Sequence, residues 1–118
     1  MNRDRSVAEQ RGRRGETIAA WFLRLKGWRI VGKRLKTARG EVDLVARRGT
    51  TVAFIEVKWR ASPSELDTAI DSQRLRRVAA AANALAPRFA KAGEDVRIDV
   101  LLVTPGRIPR HLTNVWQP

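Results

Sequence analysis

The sequence predicts an α/β domain in which a mixed sheet is layered between helices, and three observations predict it. Apolar residues recur at helical spacing in two places, Ile18, Phe22 and Leu25 early in the chain and Leu66 to Leu85 later. Between these lie three strand-like runs in hairpin succession, and a fourth, Val96 to Val103, follows the second helix. A strand, helix, strand crossover requires the last strand to run parallel to its predecessor, so the sheet is mixed. At 118 residues, 43% hydrophobic and 31% charged, the chain is one folded domain with one core.

The elements follow in order. Residues 1–14, with Arg3, Arg5, Arg11, Arg13 and Arg14 and almost nothing apolar, read as a flexible basic N-terminal arm preceding a single domain over 15–118. Gly15 to Lys26 reads as a helix stopped by Gly27, packing Ile18, Phe22 and Leu25 on the core and carrying Glu16 near its start. Trp28 to Val31 reads as a strand and Lys33 to Arg39 as a basic connection. Glu41 to Ala46 and Thr51 to Trp59 form a hairpin around Arg48-Gly49-Thr50, and their apolar residues on both faces place them centrally in the sheet. Ala61-Ser62-Pro63-Ser64 breaks the strand and offers an N-cap, and Leu66, Ala69, Ile70, Val78, Ala81, Ala82 and Leu85 carry the second helix to Pro87. After the strand Val96 to Val103, a turn at Thr104-Pro105-Gly106 leads to an edge segment carrying Val115 and Trp116.

Composition excludes several chemistries. There is no cysteine and only one histidine, His111, so a thiol nucleophile, a disulfide framework and a cysteine or histidine zinc centre are all ruled out. Any metal must be held mainly by carboxylates, which favours magnesium or manganese. With no membrane-length apolar run and no secretory signal, a cytoplasmic protein is expected, away from any membrane. The 24 bases outnumber the 12 acids to give +12, and residues 1 to 60 hold 16 of those bases and 6 of those acids. Such a field concentrates polyanions around the N-terminal half, and 19 of the bases are arginine, whose planar fork grips phosphate oxygens.

Three of the 12 acids, Glu41, Asp43 and Glu56, lie on the hairpin. Glu56 and Lys58, two apart on a strand, project from one face, and Asp43 on the neighbouring strand can meet Glu56 across the pair. Two carboxylates aimed at one point repel unless a cation lies between them. A divalent metal there, with Lys58, would activate water and stabilise charge on a phosphate. The plainer reading is a pair of surface salt bridges, but a Glu-x-Lys within a strand expected to be buried favours the chemical one.

These residues also carry a family resemblance. Glu16, Asp43 and Glu56-Val57-Lys58, on a helix, three strands, helix, strand frame, resemble the PD-(D/E)xK nuclease superfamily. More narrowly, Gly15-Glu16, Lys26-Gly27-Trp28, Arg39-Gly40-Glu41-Val42-Asp43-Leu44-Val45-Ala46, Phe54-Ile55-Glu56-Val57-Lys58 with Arg60, and Val96-Arg97-Ile98-Asp99-Val100 resemble the YraN-type family of small bacterial endonuclease-like proteins. The resemblance implies a restriction-endonuclease-like αβββαβ core with a mixed central sheet flanked by helices, similar to archaeal Holliday-junction resolvases. It implies Asp43 and Glu56 as metal ligands, Lys58 beside the attacking water, and Glu16 completing the metal site.

Other residues keep two readings. Glu41 shares a face with Asp43, and equally suits capping the turn or pairing with Arg39. Glu16 also suits a helix N-terminus as an acid favourable to the dipole. Gln73 stands where the family shows Lys-Gln, although Ser72-Gln73-Arg74 departs from that pattern. Arg39, Arg60, Arg74, Arg76 and Arg77 read as nucleic-acid contacts or as an ordinary solvated face. Asp99 reads as a structural acid and His111 as a surface residue. The combined expectation is a magnesium- or manganese-dependent DNA endonuclease hydrolysing phosphodiester bonds, with branched or structured DNA suggested by the resolvases and a homodimer as corollary. The alternatives are a non-catalytic nucleic-acid-binding module of the same fold and a basic interaction protein.

Overall fold

The computed structural model describes the backbone of residues 2–60 and 72–116, with side chains from residue 13 onward in those spans. The order is α1 (Asn2–Leu25), β1 (Arg29–Lys36), β2 (Glu41–Arg48), β3 (Thr51–Trp59), α2 (Ser72–Phe89), β4 (Asp95–Val103) and β5 (Arg110–Leu112). The strands form one sheet in chain order, with β3 and β4 parallel and every other neighbour antiparallel. This is the expected αβββαβ core with a short fifth strand added at the edge. The N-cap at Ser64 and the helical positions Leu66, Ala69 and Ile70 lie outside the described residues.

Alternation along β3 divides the core. Val52 and Phe54 face one side, where Leu75, Val78, Ala81, Ala82 and Leu85 of α2 cover them. Ala53 and Ile55 face the other, beneath Ala19, Ala20 and Leu23 of α1. Both faces of the central strands are therefore buried, as their uninterrupted apolar runs require.

Three expectations are corrected. The helix α1 begins at Asn2 rather than near Gly15, so the backbone of the stretch read as an arm is continuous with it. Arginine, alanine, glutamate and glutamine are good helix formers whether or not they have anything to bury. The buried face of α1 is also rotated: Leu23 is fully buried and Phe22 packs against the core as expected, whereas Ile18, Trp21 and Leu25 are exposed and Leu25 retains 85% of its surface. Small residues decide this, because Gly15, Ala19 and Ala20 let the helix approach the sheet closely, and a Cβ on Gly15 would already stand 3.3 Å from the Trp59 ring. Finally, the edge strand is Arg110–Leu112, and Val115 joins β4 only by donating its amide to the Ile98 carbonyl.

The residues between β1 and β2 are drawn tightly against α2. Thr37 bonds the Gly40 carbonyl through both its amide and its hydroxyl, and that hydroxyl accepts the amides of Arg39 and Gly40. A Cβ on Gly40 would lie 2.0 Å from the Arg77 carbonyl oxygen, so only glycine permits this approach.

Candidate active site

The ladder between β2 and β3 runs from Arg48 opposite Thr51 to Leu44 opposite Ile55 and then stops. One step further the same register would set Asp43 opposite Glu56, and here the strands part. The Asp43 carboxylate fills the gap, its Oδ2 accepting the Val57 amide at 2.8 Å in place of a ladder bond. A buried backbone donor is thereby satisfied and the carboxylate is fixed in orientation.

Glu56 is 1% exposed. Its Oε1 accepts Arg74 Nε at 2.8 Å and lies 3.3 Å from Lys58 Nζ. Its Oε2 is buried with no hydrogen-bond partner among the described residues. An orphaned carboxylate oxygen in a core is costly, and it is the sort of atom a cation would satisfy. Burial first, and then the negative charge of Glu56, raise Asp43 from 3.8 to about 7, against the lowering pull of the Val57 amide. The hairpin thus gathers two carboxylates, and the charge of Glu56 disfavours the ionisation of Asp43.

The opening beside them, about 500 Å³ in volume, is lined by Glu16, Arg34, Glu41, Asp43 and Arg74. Glu16 comes from α1, and its carboxylate is held by Arg34 Nε at 2.7 Å. Arg34 sits on β1 in the left-handed region, with φ of 48°. Glu41 pairs with Arg74, at 3.6 Å, rather than with Arg39. Among the described residues no three Asp, Glu, His or Cys side chains form a ready-made metal cage. The donor set is instead the Asp43–Glu56 pair, with Glu16 on the rim.

The expected nucleic-acid contacts divide. Arg74 is turned into the acid pair, and Arg60 donates to the Trp59 carbonyl. Arg39, Arg76 and Arg77 are exposed and without an acidic partner among the described residues, and Gln73 is exposed in the first turn of α2. Sequence reasoning missed Arg34 as the holder of Glu16 and Arg13 as a wall of the opening. Neither carries a sequence signal, since each is one arginine among 19.

Away from this centre Asp99 is fully buried and accepts hydrogen bonds from Arg97 and the Asn114 amide, with His111 Nε2 at 2.7 Å. Burial alone would raise its pKa, but the bonds from His111, Asn114 and Arg97 together hold it below the usual carboxylate range. His111 is accordingly a partner of Asp99 that packs edge-on to Trp28, rather than a surface residue.

Residues 15–103 match the model of the family described as Uncharacterised protein family UPF0102. The chain belongs to UPF0102, the YraN family. A UPF0102 protein of Sphingopyxis alaskensis is 68% identical over 114 residues, covering 97% of this chain and 98% of that one. Another, of Rhizorhabdus wittichii, is 67% identical over 116 residues, covering 98% of each. Among solved structures, the Archaeoglobus fulgidus Holliday junction resolvase Hjc shares the fold with a TM-score of 0.59 at 20% identity, covering 86% of this chain and 71% of that one. This UPF0102 chain therefore has the restriction-endonuclease-like fold, and its acid pair stands where its own β2–β3 ladder stops.

Proposed function

We propose that this UPF0102 protein is a divalent-metal-dependent DNA endonuclease that hydrolyses phosphodiester bonds in branched or structured DNA. The observation that carries the reading is the buried, unpartnered Oε2 of Glu56 beside a second carboxylate that burial and repulsion keep protonated to about pH 7. Asp43 and Glu56 would hold a magnesium or manganese ion, since such ions take one or two protein carboxylates and complete their shell with water and phosphate oxygens. Bound there, the ion would lower the pKa of a water and neutralise charge on the phosphate. Lys58, anchored on Glu56 Oε1, would orient that water and add positive charge beside the phosphate. The water oxygen would bond to phosphorus as the bond to the leaving sugar oxygen breaks, with no covalent enzyme intermediate. Branched DNA as substrate, and a twofold dimer delivering two cuts, follow by analogy with Hjc, a Holliday junction resolvase.

The test offers four-way, flap, duplex and single-stranded DNA with magnesium or manganese to the wild-type protein and to Asp43→Ala and Lys58→Ala. Cleavage should fall by about two orders of magnitude or more in each variant, in keeping with loss of a metal ligand or a charge-stabilising group. Cleavage that persists unchanged in both variants would remove these residues from the chemistry. One observation favours the second reading, a binding module without turnover: Arg74 already supplies Glu56 with a cation. DNA binding with no variant-sensitive cleavage under any of these conditions would select it.

A further inference from the structure

The opening at Asp43 does not end there. A smaller hollow, about 200 Å³ in volume, continues from Asp43 and Glu16 past Lys36 and Glu41. Beyond it a third, about 410 Å³ in volume, is lined by Lys36, Thr37, Arg39, Glu41 and Arg77. Glu41 borders all three, so the hollows form one continuous track from the acid pair to the place where the tight turn at Gly40 meets α2.

The charge grows more positive along these hollows. Around the opening Arg13, Arg34 and Arg74 match Glu16, Glu41 and Asp43 in number, whereas the far hollow sets Lys36, Arg39 and Arg77 against Glu41 alone, and none of those three bases has an acidic partner among the described residues. Three cations and one carboxylate around one hollow leave a net positive charge, which favours an anion. The backbone fixes their spacing, because the Thr37 hydroxyl closes the turn that bears Arg39, and Gly40 presses that turn onto the residue that bears the Arg77 side chain.

We propose that this cationic hollow binds a backbone phosphate of the nucleic acid strand, next along the chain from the phosphate placed at Asp43 and Glu56. Arginine forks match phosphate oxygens, and Glu41 at the border repels the anion away from the acid pair. The position of the cut strand rests on the nuclease reading; the phosphate contact itself does not.

The contact is measured without metal, by fluorescence anisotropy of labelled four-way DNA titrated with the full-length protein in EDTA across a range of salt. Lys36→Gln and Arg77→Gln should each weaken binding roughly fivefold and lower the slope of log affinity against log salt by about one. Arg88→Gln, on α2 about 16 Å further along the helix, should change neither. Thermal melts check that each variant folds, and Lys36 on an exposed strand position tests the hollow independently of α2. In a second arm, one neutral methylphosphonate is moved along the strand. At one position it should weaken wild-type binding while leaving the Lys36→Gln/Arg77→Gln double variant unaffected. Losses no larger than those of Arg88→Gln, or equal methylphosphonate effects in both proteins at every position, would overturn the proposal. Loss of binding in these variants from a protein that never cuts DNA would retain the phosphate contact and remove the nuclease reading. Normal cutting with unaltered binding would do the reverse.

Discussion

Asp43 keeps its proton to about pH 7 because ionising it would place a second charge beside Glu56 in a buried setting. That has a consequence for stability with a definite sign. The unfolded chain ionises Asp43 near 3.8, so the folded state is penalised as pH rises above that value, and the penalty stops growing once pH passes about 7. Asp43→Asn removes the charge and retains an oxygen for the Val57 amide. We expect this variant to be more stable than wild type by about 1–3 kcal/mol at pH 8, and by little or nothing at pH 4. Urea unfolding at the two pH values measures it, and a difference that fails to widen with pH would show that Asp43 is ionised in the metal-free protein. The same substitution should abolish cleavage, so stability and activity would move in opposite directions, as they do where a site holds strain for function.

At the scale of the element, α1 shows how close packing selects a helix face. The stripe Ile18, Phe22, Leu25 has the stronger apolar signal, yet of these Phe22 alone packs on the core, while Gly15, Ala19, Ala20 and Leu23 face the sheet. Small side chains bring the helix near enough to touch Trp59, and that approach sets Glu16 beside Arg34 at the mouth of the site. Two neighbouring leucines separate the alternatives. Leu23→Ala should cost about 2–4 kcal/mol, as truncations of fully buried leucines do, whereas Leu25→Ala should cost less than about 0.5 kcal/mol. Chemical denaturation of the two variants reads this directly, and the reverse order would return the apolar stripe to the core. The hairpin is the second decisive element. It pairs regularly until Leu44 and Ile55 and then opens, which gives a carboxylate room between two strands that would otherwise bond to each other.

For the molecule as a whole, the +12 charge and the small acid pair do different work. Attraction of a polyanion is distributed over many arginines, while the acids oppose it locally. Above about pH 7, where Asp43 is ionised, Asp43→Asn therefore removes an opposing charge without touching the bases, and below it the substitution leaves the charge unchanged. We expect Asp43→Asn to bind DNA in EDTA at least as tightly as wild type, with the same salt dependence, although it cuts none. Weaker binding by this variant would mean that Asp43 organises the binding surface itself. The two-faced sheet fits the same division, since α1 and α2 bury opposite faces while Glu16 of α1 and Arg74 of α2 both line the opening.

The order of elements was legible in the sequence because strand and helix periods differ, and the crossover rule then dictated the parallel pairing of β3 with β4. Glu56 and Lys58 share a face by alternation alone, and hairpin register brings Asp43 to them, so the acid centre was legible too. The rotation of α1 was not, because periodicity reports where apolar residues recur and not how closely two backbones can approach. Nor were the partners of the charged residues. That Arg74 turns inward to Glu56, that Arg34 holds Glu16, and that His111 joins Asp99 are decided by distance in three dimensions, which residue type does not encode. The sequence by itself determined the element order and the grouping of Asp43, Glu56 and Lys58 on the hairpin; the tertiary structure decided which face of α1 is buried and which cation each acid receives, because both depend on close approach between segments far apart in the chain.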